Sequence, residues 1–440
     1  MTSLSTVDAV RRAQSYGHAV LSWVDADGYP NSMGAPFRSD RSPSAVVIGP
    51  LAAESRPASG DEVCVTFSHI RPQRGVGYDE RRYINLWGAA ELLGDEVRVV
   101  ATRATGWDEA ETPFFEYAER NVPQARSYLA SLGAQVHLSR FWTFFLATRL
   151  PFLTATIAPV ALGGAIAARD GAFHWGWFLL TLLGACAVHL GLNIANDVFD
   201  DANGADEANV TPTMFSGGSR VIQYGLVSRA AMVRSSIAFY AFAAAIGVYM
   251  AATRTWTLLW VGVVGVVLSL VYSAPPFRLV HRGLGEPVTA LGFGPVMALG
   301  TYLALARVWS WEPVLASIPV AIFVALILYV NQVPDRVGDA AVGKRTLIVR
   351  WPKQRVIAIY TALAAIALVV VVLNVGLGVT PAWTLLALLP APLVLKVRRG
   401  LLAHYDQPYA LMSYMQDNIV LHLATGTLLV IGYVLHNLLG

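Results

Sequence analysis

Cysteine is almost missing from this 440-residue chain: Cys64 and Cys186 are the only two, and they fall in regions of different character. That excludes a disulfide framework and a cysteine-based metal site. Charge is scarce as well, at 14% of residues against 55% hydrophobic, and the net charge of +3 is small and scattered. A polyanionic partner such as nucleic acid needs a concentrated basic face, so no nucleic acid is expected. The opening MTSLSTVDAVRRAQSYGHAV also lacks the apolar core of a secretory signal, which leaves the N-terminal region expected on the cytoplasmic side.

What is abundant is apolar sequence, and it is unevenly placed. Up to about position 130 the chain reads as an ordinary soluble domain; beyond it nearly every stretch is a long apolar run. Three parts follow: 1–122, a small soluble mostly-β domain; 123–148, a connecting interfacial helix; and 149–440, a multi-pass all-α transmembrane bundle. Trp142, Phe144 and Phe145 of the connector suit a membrane interface. Crossing about 30 Å of hydrocarbon takes about 20 mostly apolar residues. Nine segments approach that: 150–168, 176–196, 235–252, 256–273, 287–306, 313–333, 356–377, 381–396 and 418–438, of which 381–396 is the shortest. Lys and Arg collect on one side of these segments, from Arg220 to Arg399, against only Arg169, Arg254 and Arg307 on the other. That bias predicts a cytoplasmic location for the loops after the second, fourth, sixth and eighth spans, with the C-terminus on the opposite side of the cell membrane.

In the N-terminal part, HAVLSWVDADGYPNS predicts a β-hairpin turning at Asp-Gly. Three further runs, SAVVIGP, EVCVTFSH and RYINLWGAAELL, predict the strands of a small antiparallel barrel.

The chemistry gathers at two helix ends. The second span closes with HLGLNIANDVFDDANGADEAN, placing Asn193, Asp197 and Asp201 four apart; the sixth closes with LYVNQVPDRVGDAAVGKRTLIVR, placing Asn331, Asp335 and Asp339 four apart. On a helix such residues stack along one face. A single carboxylate there would be an ordinary solvated helix end, but solvation demands no repeated spacing. Stacked carboxylates repel, so a cation is implied, and hard oxygen donors suit Mg²⁺ bridging to a diphosphate. Asp197, Asp201, Asp335 and Asp339 are the expected metal ligands, while Asp200 and Asp206 read as solvated neighbours. Pro334 is expected to kink the sixth span.

Basic residues follow both clusters. Lys344 and Arg345 lie just past Asp339 and are expected to bind phosphate oxygens. Arg220 follows the glycine pair Gly217-Gly218, whose backbone amides can converge on an anion. Arg149 is either a membrane anchor or a diphosphate ligand. After the fourth span Tyr272 can stack on a cation or a ring, Arg278 and Arg282 can face the acidic region, and Glu286 suits the start of a helix. His189 and His281 are assigned no role, since lone histidines are mostly packed or solvated.

The stretches NIANDVFDD, YSAPPFRL and DRVGDAAVGKRTL, in this order and spacing, resemble the UbiA superfamily of membrane prenyltransferases from about Arg149 to Gly440. TRLPFLTATIAPVALGGAIA, RGLGE ending at Glu286 and GKRTL ending at Leu347 are most similar to 1,4-dihydroxy-2-naphthoate polyprenyltransferases of menaquinone synthesis. Gln332-Val333-Pro334 and Trp351 depart from that subgroup. The resemblance implies a Mg²⁺-dependent enzyme. It would pass a polyprenyl group from a donor such as geranylgeranyl diphosphate to an aromatic quinone precursor, with loss of the acceptor's carboxylate. 4-Hydroxybenzoate, homogentisate and a lipid glycerol phosphate stay open as other acceptors, and an ion-coupled transporter stays open as a different class. LSWVDADGYPNS and INLWGAAELL resemble the split barrel of pyridoxamine-phosphate-oxidase-like flavin proteins. That leaves three options for the N-terminal domain: a flavin near Arg71, Arg74, Arg81 and Arg82, another redox cofactor such as a deazaflavin or haem, or a bare scaffold.

Overall fold

A computed structural model describes residues 2–73, 77–111, 140–209 and 212–439. The chain divides into two compact units, Met1–Ala134 and Gln135–Gly440. Arg74 and the connector's residues 123–139 lie outside the described residues.

The first unit is an eight-stranded antiparallel sheet: β1 (Thr2–Leu4), β2 (Ala19–Val24), β3 (Pro30–Ala35), β4 (Phe37–Ser39), β5 (Ala45–Ile48), β6 (Glu62–Gln73), β7 (Gly77–Leu93) and β8 (Glu96–Asp108). The order is β3-β2-β6-β7-β8-β5-β4, with β1 also paired to β8, giving a half-barrel. The predicted hairpin is present as β2 and β3, and its turn is built by Asp25, whose Oδ1 accepts from the backbone N–H groups of Asp27 and Tyr29. The predicted strand runs became β5, β6 and β7. Alternate residues face one core holding Leu21, Val65, Phe67, Leu86, Val97 and Val99, closed by helix α1 (Thr6–Ala13), whose N-cap Ser5 accepts from the Asp8 N–H at 3.1 Å.

The second unit is helical. Its elements are α2 (Arg140–Thr148), α3 (Thr154–Arg169), α4 (Trp175–Asn203), α5 (Arg229–Thr253), α6 (Thr257–Ser273), α7 (Gly285–Ala306), α8 (Ile318–Ala341), α9 (Lys353–Gly376), α10 (Ala391–His404) and α11 (Pro408–Leu439). Among the described residues seven helices are long and apolar enough to cross a membrane: α3 with its leading turn from Leu150, and α4, α5, α7, α8, α9 and α11; α6 is a shorter apolar helix. The expected span at 381–396 is different: a 3₁₀ stretch, Ala382–Leu388, is followed by α10, the break falling at Pro390 and Pro392. Proline lacks the N–H that would continue the helix. The last helix starts at Pro408, ten positions ahead of the predicted 418. Pro334 lies inside α8, which continues to Ala341.

α8 is the bundle's central helix, with Phe323, Leu326, Val330 and Val333 fully buried against α9 and α11. Away from the acidic clusters the bundle is tied by Arg169 to Glu312 at 2.6 Å, Tyr302 to Asp170 at 2.7 Å and Tyr433 to Glu312 at 2.7 Å. Trp260, Trp256 and Val369 project outward, 70%, 63% and 54% exposed, which an apolar surrounding would tolerate and water would not.

Candidate active site

Successive helical residues rotate by about 100°. On α4 this puts Asn193, Asn196 and Asp200 on one face, lining a cavity of about 180 Å³. Opposite them α8 presents Asn331, Gln332, Asp335 and Asp339. Arg149, Asp206, Asn209, Ser216, Tyr272 and Lys344 add to the polar lining.

Lys344, 8% exposed, stands between the two walls, 3.3 Å from Asp200 and 3.4 Å from Asp339. Burial opposes its charge, but Asp200 and Asp339 outweigh that and hold its pKa well above the usual lysine value. His281 lies 3.8 Å from Asp200. Asp335 accepts from Asn209 Nδ2 at 2.7 Å and from the Gly217 N–H at 3.2 Å.

The loop carrying Gly217 and Gly218 is shaped for this approach. Both take left-handed backbone angles, φ 81° and 75°, and a Cβ on either would stand 2.7 Å from Asn209 Nδ2 or the Asp206 carboxylate. The amides of this loop do converge on anions, but the anions are the protein's own: Gly217 serves Asp335 and Ser219 serves Asp197.

Of the residues predicted for the site, Asn193, Asn331, Asp335, Asp339, Arg149, Lys344 and Tyr272 meet at the cavity. Asp197, Asp201, Arg220, Arg278 and Arg345 are not in its lining. Asp197, 2% exposed, accepts from Arg149 at 2.5 Å and from the Ser219 N–H at 3.2 Å. Asp201 is held by Gln223 at 3.1 Å and Arg229 at 2.6 Å. Arg220 is buried and donates to the carbonyls of Asp206 and Asn209. Arg345 is exposed, and its N–H donates to the His281 carbonyl at 2.8 Å.

Asp200 and Asp206, expected to be solvated, are 8% and 4% exposed and line the cavity. Burial, reinforced by the charges of Asp200 and Asp197, pushes Asp206 up to about 8. Asn196, Asn209 and Gln332 were also missed. The sequence carries a signal for them: Asn196 and Asp200 show the same four-residue spacing as Asn193, Asp197 and Asp201, one register away.

Among the described residues no three acidic, histidine or cysteine side chains cage an ion by themselves. Carboxylates instead face one another across a gap, and the Oδ1 of Asn331, 8% exposed, has no hydrogen-bond partner. Such an all-oxygen set fits Mg²⁺, which is typically bound by one or two carboxylates and completed by substrate phosphates.

The polar cavity shares His189, Leu192, Tyr272, Thr289 and Phe293 with a second, apolar cavity of about 450 Å³ among α4, α5, α6 and α7. His189 accepts or donates at 2.8 Å to Thr156 and packs edge-on to Phe293.

In the N-terminal unit, three of the four arginines named for a flavin phosphate are among the described residues. Arg71 pairs with Glu80 at 3.1 Å, Arg81 with Glu109 at 2.6 Å, and Arg82 lies over the Tyr16 ring at 5.4 Å.

Residues 156–431 match the profile of the UbiA prenyltransferase family. A 2-carboxy-1,4-naphthoquinone phytyltransferase of Synechocystis is 28% identical over 65% of this chain and 91% of that protein. A 1,4-dihydroxy-2-naphthoate octaprenyltransferase of Bacillus subtilis is 25% identical over 65% and 90%. One of Mycobacterium tuberculosis is 32% identical over 56% and 80%.

Proposed function

Because the chain belongs to the UbiA prenyltransferase family, we propose that it transfers a polyprenyl group from a polyprenyl diphosphate, such as geranylgeranyl diphosphate, to 1,4-dihydroxy-2-naphthoate, in a Mg²⁺-dependent reaction that releases the acceptor's carboxylate as CO₂. The observation that carries this reading is the pairing of cavities. A two-walled acidic pocket with Lys344 at its centre opens onto an apolar cavity large enough for a hydrocarbon chain. The relatives named for naphthoate-type acceptors support the choice of acceptor.

In this mechanism Asp200, Asp206, Asp335 and Asp339 present oxygen ligands from both walls. Bound Mg²⁺ would neutralise charge on the departing diphosphate. Lys344 exchanges its carboxylate partners for phosphate oxygens as the allylic carbon–oxygen bond breaks, and Arg149 adds a second fixed positive charge. Tyr272, at the junction of the two cavities, offers its ring face to the electron-poor allylic carbon. The apolar cavity takes the chain and keeps water from the carbon. The acceptor's ring carbon attacks as diphosphate leaves, and carbon dioxide departs from that carbon to restore the aromatic ring.

The excess of Lys and Arg on the loops beside the acidic clusters supports a cell-membrane protein with this site on the cytoplasmic side. Membranes supplied with radiolabelled geranylgeranyl diphosphate, Mg²⁺ and a panel of aromatic acceptors test the whole reading. Mg²⁺-dependent product that is lost in Asp335→Ala is expected. Absence of such product with every acceptor would overturn it.

A further inference from the structure

The polar cavity and its margin hold buried side chains that the protein leaves without well-formed hydrogen bonds. Gln332 is 5% exposed, and neither its amide oxygen nor its amide nitrogen has a hydrogen-bond partner. Glu286, in the first turn of α7 behind the lining, is 7% exposed and lies close enough to Gln332 for the amide to steady its carboxylate, although neither carboxylate oxygen makes a hydrogen bond of full geometry. Leaving such groups unpaired costs about 1–3 kcal/mol each, more for a charge, and native interiors keep few of them. Asp335, three residues along the same helix, has by comparison a hydrogen-bond donor on each oxygen. The unpaired groups therefore mark a subsite that a ligand completes.

The diphosphate is a poor occupant. An amide backed by a carboxylate repels it, whereas it accepts readily from Lys344 and metal. Gln332 lies about 4.5 Å further along the helix axis from Asp335, towards the centre of the bundle. A ring at this level, just beyond a diphosphate held by Lys344 and the acidic walls, would stand beside the allylic carbon. Gly285 lies in van der Waals reach of the Tyr272 ring, which places that ring next to the start of α7 beside Glu286. An aromatic face and a buried amide together suit a flat ring bearing a hydroxyl.

We infer that Gln332 reads a hydroxyl of the aromatic acceptor, its Oε1 accepting that hydrogen bond while its Nε2 donates to Glu286, which acts as a positioning residue. This rests on the proposed transfer to a hydroxylated aromatic acceptor. A site built to bond a hydroxyl discriminates strongly against an analogue lacking it, because the amide is then buried unpaired.

The test uses full-length protein in nanodiscs, loaded with Mg²⁺ and a non-reactive thio-analogue of geranylgeranyl diphosphate. It is titrated with 1,4-dihydroxy-2-naphthoate and with 2-naphthoate, which lacks both hydroxyls. Gln332→Leu is expected to lower the affinity ratio of the first to the second at least fivefold, and a smaller change overturns the inference. Should Gln332→Leu fail to bind the donor analogue, the isosteric Glu286→Gln is read instead. A fall in the same ratio of at least twofold, with the acceptor KM raised and the donor KM unchanged in turnover, supports the assignment, and anything less sinks it. A wild-type protein that binds neither naphthoate also sinks it, whatever other acceptor is prenylated. Binding without any product overturns the transfer reading instead, and the ratio still decides the role of Gln332.

Discussion

Asp200 and Asp201 are adjacent and chemically identical, yet the helix turns them to different tasks. Asp200 faces Lys344 across the cavity, and Asp201 pairs with a half-exposed Arg229 outside the lining. Asp200→Asn should lower kcat/KM by about a hundredfold or more, the usual scale for losing a preorganised charge at a reacting centre. Asp201→Asn should cost within about fivefold, since Asp201 stands outside the cavity lining and its partner Arg229 is half exposed. Equal losses in steady-state assays would favour the Asn193, Asp197, Asp201 register instead. Asp206 adds a pH dependence. Its raised value, about 8, means that it carries a proton at neutral pH in the metal-free protein, and a cation entering the site must displace that proton. Apparent Mg²⁺ affinity is therefore expected to rise with pH up to about 8, and Asp206→Asn to flatten the slope; calorimetric titration at pH 6, 7 and 8 reads both.

At the scale of elements, the site depends on how closely α8 approaches the segment after α4. Gly338 permits that approach, because a Cβ there would meet the backbone N and Cα of Asn209 at 2.9 Å. Asn209 in turn holds Asp335. Gly338→Ala should destabilise the bundle by roughly 1–3 kcal/mol through overpacking and also raise the Mg²⁺ concentration needed for half-maximal turnover. A thermal shift alone, with the Mg²⁺ requirement unchanged, would separate packing from site geometry. Helix limits follow the same logic. The segment 381–396 is apolar enough to count as a span by composition, but Pro390 and Pro392 break it, and a hydropathy pattern does not register a missing N–H.

For the whole molecule, every residue lining the two cavities lies between Arg149 and Ile419, and the β-unit has a core of its own from Ala9 to Ala104. A chain comprising residues 135–440 should therefore keep Mg²⁺-dependent transfer within a few fold. Residues 1–134 should express as a soluble, cooperatively melting domain, measurable by circular dichroism. Loss of all transfer on removing the β-unit would show that the enzyme needs it.

Legible in the sequence were a mostly-β first region ahead of an apolar helical one, the β2–β3 hairpin, most of the apolar helices, and the two acidic clusters with Lys344 behind the second. These follow from local pattern: runs of apolar residues, an Asp-Gly turn, carboxylates at four-residue spacing. The tertiary structure alone decided which neighbouring register of α4 faces the cavity, that Arg220 gives its guanidinium to backbone carbonyls, and that Glu286 and Gln332 are buried side by side without well-formed hydrogen bonds. The reason is rotational. Spacing says which residues share a helix face, but the direction of that face is set by the helices packed around it, through close contacts such as that of Gly338 with Asn209.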